Sequence, residues 1–292
     1  MIPREILRKV RQLEIRTKGI VSNLFGGEYH SAFKGRGMEF VEVRPYQFGD
    51  DIRAIDWNVS ARSGDETYVK VFQEEREQTL MLAVDISGSG MFGSRQMFKK
   101  DLAAEVCAVL AFSAIQNNDK VGLLLFSDRV ELFVPPKKGR RHVLRIIRDL
   151  YAFNPLSIQT DIGVALEHLL HTLRRRSIVL ILSDFIHRGY ERPLQILGRR
   201  HDTIAIRISD KREAELPNLG LLEVMDAETG ETFVCDTASK EVQKRLRTIN
   251  RTRDAERAMR FRKMQVDLVE LRTDTSYIEP LSRYFRERHR RR

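Results

Sequence analysis

The chain has 292 residues, of which 42% are hydrophobic and 32% are charged, and its formal net charge is +10. This composition is typical of a soluble folded protein with a charged surface, and the length is sufficient to bury a full core. No apolar run approaches the ~18 residues that a membrane span requires, and residues 1–10 lack the apolar centre of a signal peptide. We therefore expect a cytoplasmic protein without a membrane span.

The cysteine count argues against a disulfide-bonded or zinc-binding protein, and the charge distribution bears on nucleic-acid binding. Cys107 and Cys235 are the only cysteines, too few for a disulfide framework or a zinc site. Half of the net charge falls in residues 283–292, which contain six arginines and one glutamate. We interpret this segment as a solvated basic tail; nucleic-acid binding through it is an alternative that predicts a steep salt dependence.

The first 78 residues are predicted to form a helix followed by a small β-rich module. Apolar residues spaced by three or four positions indicate an amphipathic helix over residues 1–22. Residues 38–44 and 67–72 alternate like strands, and between them residues 44–57 interleave arginines and aspartates with aromatic side chains that include Trp57. We expect Arg–Asp pairs and Trp57 to hold this module together against the rest of the protein, with a docking surface as the alternative interpretation of the same residues.

A buried strand over residues 79–84 leads directly into Asp85, Ser87 and Ser89. The strand is a short continuous apolar run, as expected for a strand covered on both faces. The three oxygen-bearing side chains alternate, so that in an extended or looping backbone they can converge on one point. Hard oxygen ligands of this kind suit Mg²⁺ or Mn²⁺.

Helices and strands alternate from here onward, which predicts an α/β fold with a doubly wound, mainly parallel sheet. We divide the chain into residues 1–78 (helix and β-rich module), 79–235 (the metal-binding sheet domain) and 236–292 (a helix, a strand and the basic tail). The predicted strands after residue 84 are 121–126, 130–134, 177–183, 203–208, 221–225, 232–234 and 266–271, and the predicted helices are 97–115, 143–150, 162–173, 194–198, 242–264 and 277–285.

Two later stretches supply further oxygen ligands. Asp184 follows the strand Ser177–Ser183, and Thr160 lies in the polar loop that opens the helix at residue 162. In a doubly wound sheet, the carboxyl ends of the central strands share one crevice. We therefore predict one divalent cation, Mg²⁺ or Mn²⁺, bound by Asp85, Ser87, Ser89, Thr160 and Asp184.

Other interpretations of the same stretch have less support. Gly88–Gly93 spells G-x-G-x-x-G, but no acidic residue ends a strand about 20 residues later, as a dinucleotide site requires. A phosphate-binding loop would need a lysine before Ser94, and none is there. A purely structural alternative is that Ser87 and Ser89 cap the following helix while Asp85 stabilises a turn.

The order of a strand-end D-x-S-x-S, a loop threonine and a strand-end aspartate resembles the metal-ion-dependent adhesion site of von Willebrand factor A domains. From about Gly35 onward the chain also resembles a bacterial family known as domain of unknown function 58. The matching motifs include E-V-R-P-Y-Q-x-G-D-D-I-R-x-I-D-W-N, D-I-S-G-S, L-L-F-S-D, P-P-K-K-G-R-R-H, L-S-D-F and D-A-E-T-G. The resemblance implies a von Willebrand A-like fold and an association with MoxR-type AAA+ ATPases.

The predicted function is therefore protein binding through a metal, without enzymatic activity. A partner would complete the coordination shell with an acidic residue, and the resemblance implies a MoxR-type AAA+ ATPase or its client, in a chaperone-like or maturation system. The enzymatic alternative is a metal-dependent hydrolase, for which Asp128 and Asp161 are the candidate bases. No His, Lys or Cys lies near the metal-facing residues in sequence to serve as nucleophile or proton shuttle.

Overall fold

The structure, a computed structural model, describes residues 4–21, 29, 32–33, 39–64, 66–73, 77–91, 93–94, 97–214, 217–225 and 231–291. The chain divides into two compact units, one comprising residues 1–32 and 79–292 and the other residues 33–78. This grouping differs from the predicted division at 78 and 235. The N-terminal helix groups with the sheet domain, and so do the residues after 235, because they supply an edge strand of the same sheet.

The secondary structure agrees closely with the predicted elements. The strands are β1 Glu39–Pro45, β2 Tyr68–Gln73, β3 Thr79–Asp85, β4 Gly93–Ser94, β5 Met97–Phe98, β6 Lys120–Phe126, β7 Val130–Lys137, β8 Ile178–Ser183, β9 Asp202–Ser209, β10 Leu221–Met225, β11 Thr232–Asp236 and β12 Asp267–Arg272. The helices are α1 Arg4–Ile20, α2 Trp57–Arg62, α3 Lys99–Gln116, α4 Arg140–Ala152, α5 Ile162–Thr172, α6 Glu191–Arg200, α7 Lys211–Ala214, α8 Lys240–Met264 and α9 Ile278–Arg291.

A six-stranded sheet of order β12-β9-β8-β3-β6-β7 forms the centre of the larger unit. Its strands are parallel except β7, which pairs antiparallel with β6 at one edge. Helices α1, α3 and α4 contact one another, and α5 and α6 pack with apolar residues of β3 and β8, including Met81 and Val179. The predicted doubly wound, mainly parallel α/β sheet is confirmed.

The two central strands are apolar between their polar ends because both of their faces are covered. Every residue of β8 is buried, and so are the five inner residues of β3. Parallel strands that are covered on both sides need such unbroken apolar runs. After β3 the chain continues to β6 on one side and later returns to β8 on the other, so a crevice opens between β3 and β8 at their carboxyl ends.

The smaller unit contains the antiparallel pair β1–β2 and the short helix α2. The predicted Arg–Asp pairing is present, since the guanidinium of Arg44 donates two hydrogen bonds to Asp50, at 2.8 and 2.7 Å. Asp56 caps α2 through the backbone N–H groups of Asn58 and Val59. The expectation that Trp57 holds the module together is wrong: Trp57 follows the cap as the first helical residue, and its side chain is 69% exposed.

The predicted basic tail is part of helix α9, which continues to Arg291 and contacts β12, and of its described arginines only Arg288 is buried. Phe285 is fully buried, and Arg288 is only 9% exposed. The Arg288 guanidinium forms ion pairs with Asp202, at the start of β9, and with Asp267, at the start of β12 (3.2 Å). More of the positive charge lies on α8, which has ten basic and three acidic side chains.

We predict that Arg288→Met lowers the free energy of unfolding by about 3 kcal/mol, because it leaves two aspartates without their buried partner. Arg291→Met is the matched control on the same helix: Arg291 is exposed and lies 3.8 Å from Glu287, so its loss should cost under ~0.5 kcal/mol. Urea unfolding measures both values. Equal effects of the two substitutions would show that the Arg288 ion pairs do not stabilise the fold.

Candidate metal centre

The end of β3 presents Asp85 to the crevice, where its carboxylate is held on both oxygens. Oδ1 accepts a hydrogen bond from the backbone N–H of Ser87 (3.0 Å), and Oδ2 accepts one from the hydroxyl of Ser183 (2.7 Å). Ser183 is the last residue of β8, the parallel neighbour of β3. The pairing of these two strands therefore fixes the orientation of Asp85.

The turn after β3 brings two hydroxyl groups together. Ser87 is buried, and its Oγ lies 3.3 Å from Oγ of Ser89. The turn closes through a hydrogen bond from the N–H of Gly90 to the carbonyl of Ser87 (3.0 Å). Asp85, Ser87 and Ser89 are thus linked to one another by hydrogen bonds, as their alternation predicts.

The loop that carries Thr160 is attached to this turn. The N–H of Gly88 donates to the carbonyl of Ile158 (2.9 Å), and Thr160 follows two residues later with 7% of its surface exposed. The side chain of Glu131, on β7, accepts hydrogen bonds from the backbone N–H groups of Leu156 (3.0 Å) and Ser157 (3.3 Å). Glu131 therefore holds the start of the loop, a role that nothing in its sequence neighbourhood indicates.

Asp184 comes directly after β8 and is 7% exposed. Its Oδ1 accepts a hydrogen bond from the N–H of Ile186 (3.2 Å). Between these two residues, Phe185 has a φ of 53°, in the left-handed region that residues other than glycine rarely adopt. Phe185 is fully buried, and its ring lies 5.7 Å from that of Tyr190 and 5.3 Å from that of Phe261. Aromatic packing thus anchors the unusual turn that directs Ile186 back to Asp184.

Lys99 is a buried charged residue at this site that sequence reasoning missed. It is the first residue of α3, is 4% exposed, and places its Nζ 3.2 Å from Oδ2 of Asp184. The same ammonium forms an ion pair with Glu213, on α7. The sequence does carry a signal for it, because Lys99 and Lys100 open a helix, where the helix dipole disfavours positive charge. A lysine at that position is unfavourable unless another group compensates its charge, as Asp184 and Glu213 do for Lys99.

The electrostatics of the site favour a cation. Burial, and to a lesser extent the nearby charge of Asp184, raises the pKa of Asp85 to about 6. Burial lowers the pKa of Lys99, but Asp184 and Glu213 more than offset this, so that its pKa is raised overall. With Asp85, Asp184 and Glu213 ionised and Lys99 protonated, two negative charges remain, which one divalent cation would balance.

The donor set fits a hard cation. Within the described ranges, no group of three or more His, Cys, Asp or Glu side chains is placed to hold a metal, so an ion here would depend on hydroxyl ligands in addition to carboxylates. Asp85 and Asp184 would supply the charge, and Ser87, Ser89 and Thr160 neutral oxygens. Mg²⁺ and Mn²⁺ accept such an all-oxygen shell, and the bound ion would supply an open coordination position.

The two candidate bases of the enzymatic alternative have structural roles. Asp161 caps α5, accepting a hydrogen bond from the N–H of Gly163 (2.8 Å). Asp128 forms an ion pair with Arg129 (3.0 Å), and the side-chain hydrogen bond from Arg129 is the main cause that lowers the pKa of Asp128. Both carboxylates are therefore committed to contacts outside the proposed coordination shell.

We predict that Asp85→Asn stabilises the metal-free protein at pH 8. Because the pKa of Asp85 lies at about 6 in the folded protein, above its usual 3.8, the folded state binds this proton more tightly than the unfolded chain does. Ionised Asp85 therefore costs stability above pH 6, and the cost disappears as the pH falls from about 6 toward 4. Because this carboxylate is partly buried, we expect Asp85→Asn to raise the free energy of unfolding at pH 8 by about 1–3 kcal/mol.

Urea unfolding in EDTA from pH 4 to pH 8 measures this effect. The difference in the free energy of unfolding between Asp85→Asn and the wild type should disappear at pH 4. Asp128→Asn is the control and should bring no gain at pH 8, because the pKa of Asp128 is lowered instead. If Asp85→Asn were less stable than the wild type at pH 8, ionised Asp85 would be a favourable group and the site would not lack a cation.

Comparison with known proteins identifies the family. The model of the family described as protein of unknown function DUF58 matches residues 42–256. The uncharacterized protein Rv1480 of Mycobacterium tuberculosis is 32% identical over 286 residues, which cover 96% of this chain and 89% of that protein. The uncharacterized protein YeaD of Bacillus subtilis is 30% identical over 108 residues, 37% of this chain and 25% of YeaD.

Among solved structures, the hypothetical protein BatB of Bacteroides thetaiotaomicron covers 73% of this chain and 99% of its own, with 14% identity and a TM-score of 0.49. An aerotolerance-related membrane protein of Bacteroides fragilis covers 74% and 100%, with 15% identity and a TM-score of 0.46. In this chain, none of the described helices has the length and apolar character to cross a membrane. On the match of its family model and its relatives, the chain belongs to the DUF58 family.

Proposed function

We propose that this protein is a cytoplasmic, von Willebrand A-like module that binds a partner protein through a divalent cation. The cation, Mg²⁺ or Mn²⁺, is held by Asp85, Ser87, Ser89, Thr160 and Asp184. The observation that carries the proposal is the position of Asp85 and Asp184 at the carboxyl ends of β3 and β8, with the adjacent hydroxyls of Ser87 and Ser89 linked to Asp85 through the same turn and the ammonium of Lys99 beside Asp184. An acidic side chain of the partner completes the shell of the ion.

Exposed apolar residues near the site support protein binding rather than turnover. Phe98 (53% exposed) precedes Lys99, Ile158 (52%) precedes the Thr160 loop residue by two positions, and Ile186 (53%) follows Asp184. Leu156, in the same loop as Thr160, is 82% exposed. Large apolar side chains around a polar centre are typical of protein interaction sites. They suit a partner that offers an acidic residue within an apolar surface.

We further propose, on the family resemblance, that the partner is a MoxR-type AAA+ ATPase or its client, in a chaperone-like or maturation system. The protein itself is not an enzyme in this proposal. The packing of Asp128 and Asp161 into structural contacts supports that part, since they were the candidate bases near the ion. Nucleic-acid binding through residues 283–292 has less support than the sequence suggested, because Arg288 is engaged in buried ion pairs.

We predict that Asp85→Ala lowers the affinity for Mg²⁺ and Mn²⁺ by at least about tenfold, equivalent to ~1.4 kcal/mol, because it removes one of two charged ligands. Ser87→Ala and Thr160→Ala remove neutral ligands and should have smaller effects in the same direction. Ser113→Ala is the control: Ser113 is equally buried, but its hydroxyl donates to the carbonyl of Val109 within α3. Titration calorimetry on the EDTA-treated protein gives the affinities.

The partner is tested by co-purification with the MoxR-type ATPase of the same organism, with Mg²⁺ or with EDTA. Capture should require the ion and fail with Asp85→Ala, while Ser113→Ala should behave as the wild type. Unchanged metal affinity of Asp85→Ala would mean that the ion site is assigned wrongly. A Mg²⁺-dependent hydrolase activity that is lost in Asp85→Ala would instead favour the enzymatic alternative.

A further inference from the structure

The buried ammonium of Lys99 contacts Asp184, one of the two carboxylates proposed to bind the cation. Its Nζ lies 3.2 Å from Oδ2 of Asp184, and the side chains of Lys99 and Asp184 are only 4% and 7% exposed. A bound dication and this ammonium would draw on the same carboxylate and repel each other in a poorly solvated setting. Lys99 therefore opposes any cation that Asp184 helps to bind.

Glu213 gives Lys99 a second partner outside the proposed shell. Its side chain is 28% exposed and forms an ion pair with the same ammonium. Lysine has three N–H donors on a flexible stem, so Lys99 can contact both carboxylates and can turn fully to Glu213 when Asp184 is taken by an ion.

The structure holds Glu213 in place for this role. Its Oε2 accepts a hydrogen bond from the N–H of Asp210 (3.2 Å), and its carbonyl accepts one from the side chain of Asn250, on α8 (3.1 Å). A buried ion pair is by itself a weak source of stability. Stability alone therefore does not explain why Glu213 is held beside Lys99 as a second acceptor.

We propose that Lys99 is an intramolecular competitor of the metal. Its ammonium neutralises Asp184 in the metal-free protein. When the cation binds, the Lys99 side chain moves away from Asp184 and pairs with Glu213 alone, so that the Lys99–Glu213 pair sets the affinity for the ion. This inference rests on the proposed function for the presence of the cation. It adds that the site alternates between an ammonium-filled and a metal-filled state.

The proposal predicts opposite effects for the two members of the pair. Lys99→Met keeps the length of the side chain but removes the competing charge, and it should tighten Mg²⁺ binding by about tenfold. Glu213→Gln removes the alternative acceptor, keeps Lys99 on Asp184 and should weaken binding by about threefold or more. Lys100→Met is the matched control, since its Nζ donates to the carbonyl of Phe153 instead (3.1 Å).

The double variant Lys99→Met/Glu213→Gln separates transfer of Lys99 from a simple effect of charge. If Glu213 acts by receiving Lys99, its substitution should change nothing once Lys99 is gone, so the two effects will not add. If Glu213 only attracts the cation through space, it will weaken binding by the same factor in both backgrounds. Additive effects therefore overturn the proposal.

Titration calorimetry of the EDTA-treated variants with Mg²⁺ is the primary measurement, and the rise of the unfolding temperature on adding Mg²⁺ is the second. The second remains informative if Lys99→Met is less stable, because Mg²⁺ should then raise its unfolding temperature by more than that of the wild type. Binding by Lys99→Met but not by the wild type also supports the proposal. Wild-type binding with equal or weaker binding by Lys99→Met overturns this inference alone, whereas no binding by either protein overturns the proposed function with it.

Discussion

The parallel pairing of β3 with β8 is the constraint on which the rest of the site depends. Leu80 to Val84 pair in register with Ile178 to Leu182, so both strands end at the same level. The hydroxyl of Ser183 can then reach Asp85, and Asp184 follows at the same edge. A shift by one residue would turn Asp85 to the other face of the sheet.

Charge balance is the second constraint, and it explains why the site combines carboxylates with a buried ammonium. Burial, and after it the nearby charge of Asp184, raises the pKa of Asp85, so its ionised form costs stability in the folded protein. Lys99 relieves part of that cost, but its charge is shared with Glu213. The fold therefore tolerates a site with a remaining demand for positive charge at the mouth of its central crevice.

Features that arise from local sequence order could be predicted, and features that arise from long side chains meeting across the fold could not. The sheet, and the linkage of Asp85 with Ser87 and Ser89, follow from strand periodicity and from alternation in one turn. Lys99 was missed because its side chain reaches back from a helix to a strand end 85 residues later in the chain. Its second partner, Glu213, lies further on still.

Two further predictions show the limits of local sequence. Residues 283–292 read as a tail because the partners of Arg288, Asp202 and Asp267, are distant in sequence, and an arginine-rich segment is polar whether it is solvated or paired. Trp57 was expected to help hold the β-rich module together. The cap supplied by Asp56 instead places it at the start of α2, where its side chain lies in solvent. Residue type alone does not determine burial.

The left-handed backbone at Phe185 links the hydrophobic core to the chemistry of the site. Glycine at position 185 would relieve the backbone strain but would lose the ring contacts with Tyr190 and Phe261. A substitution that lowers the strain therefore weakens the packing of the core. Mutational tolerance at the three aromatic positions is therefore governed by the orientation of Asp184 as well as by folding. A genetic screen for loss of the proposed partner binding would return these core aromatics together with the proposed ion ligands, although no aromatic ring is itself a candidate ligand.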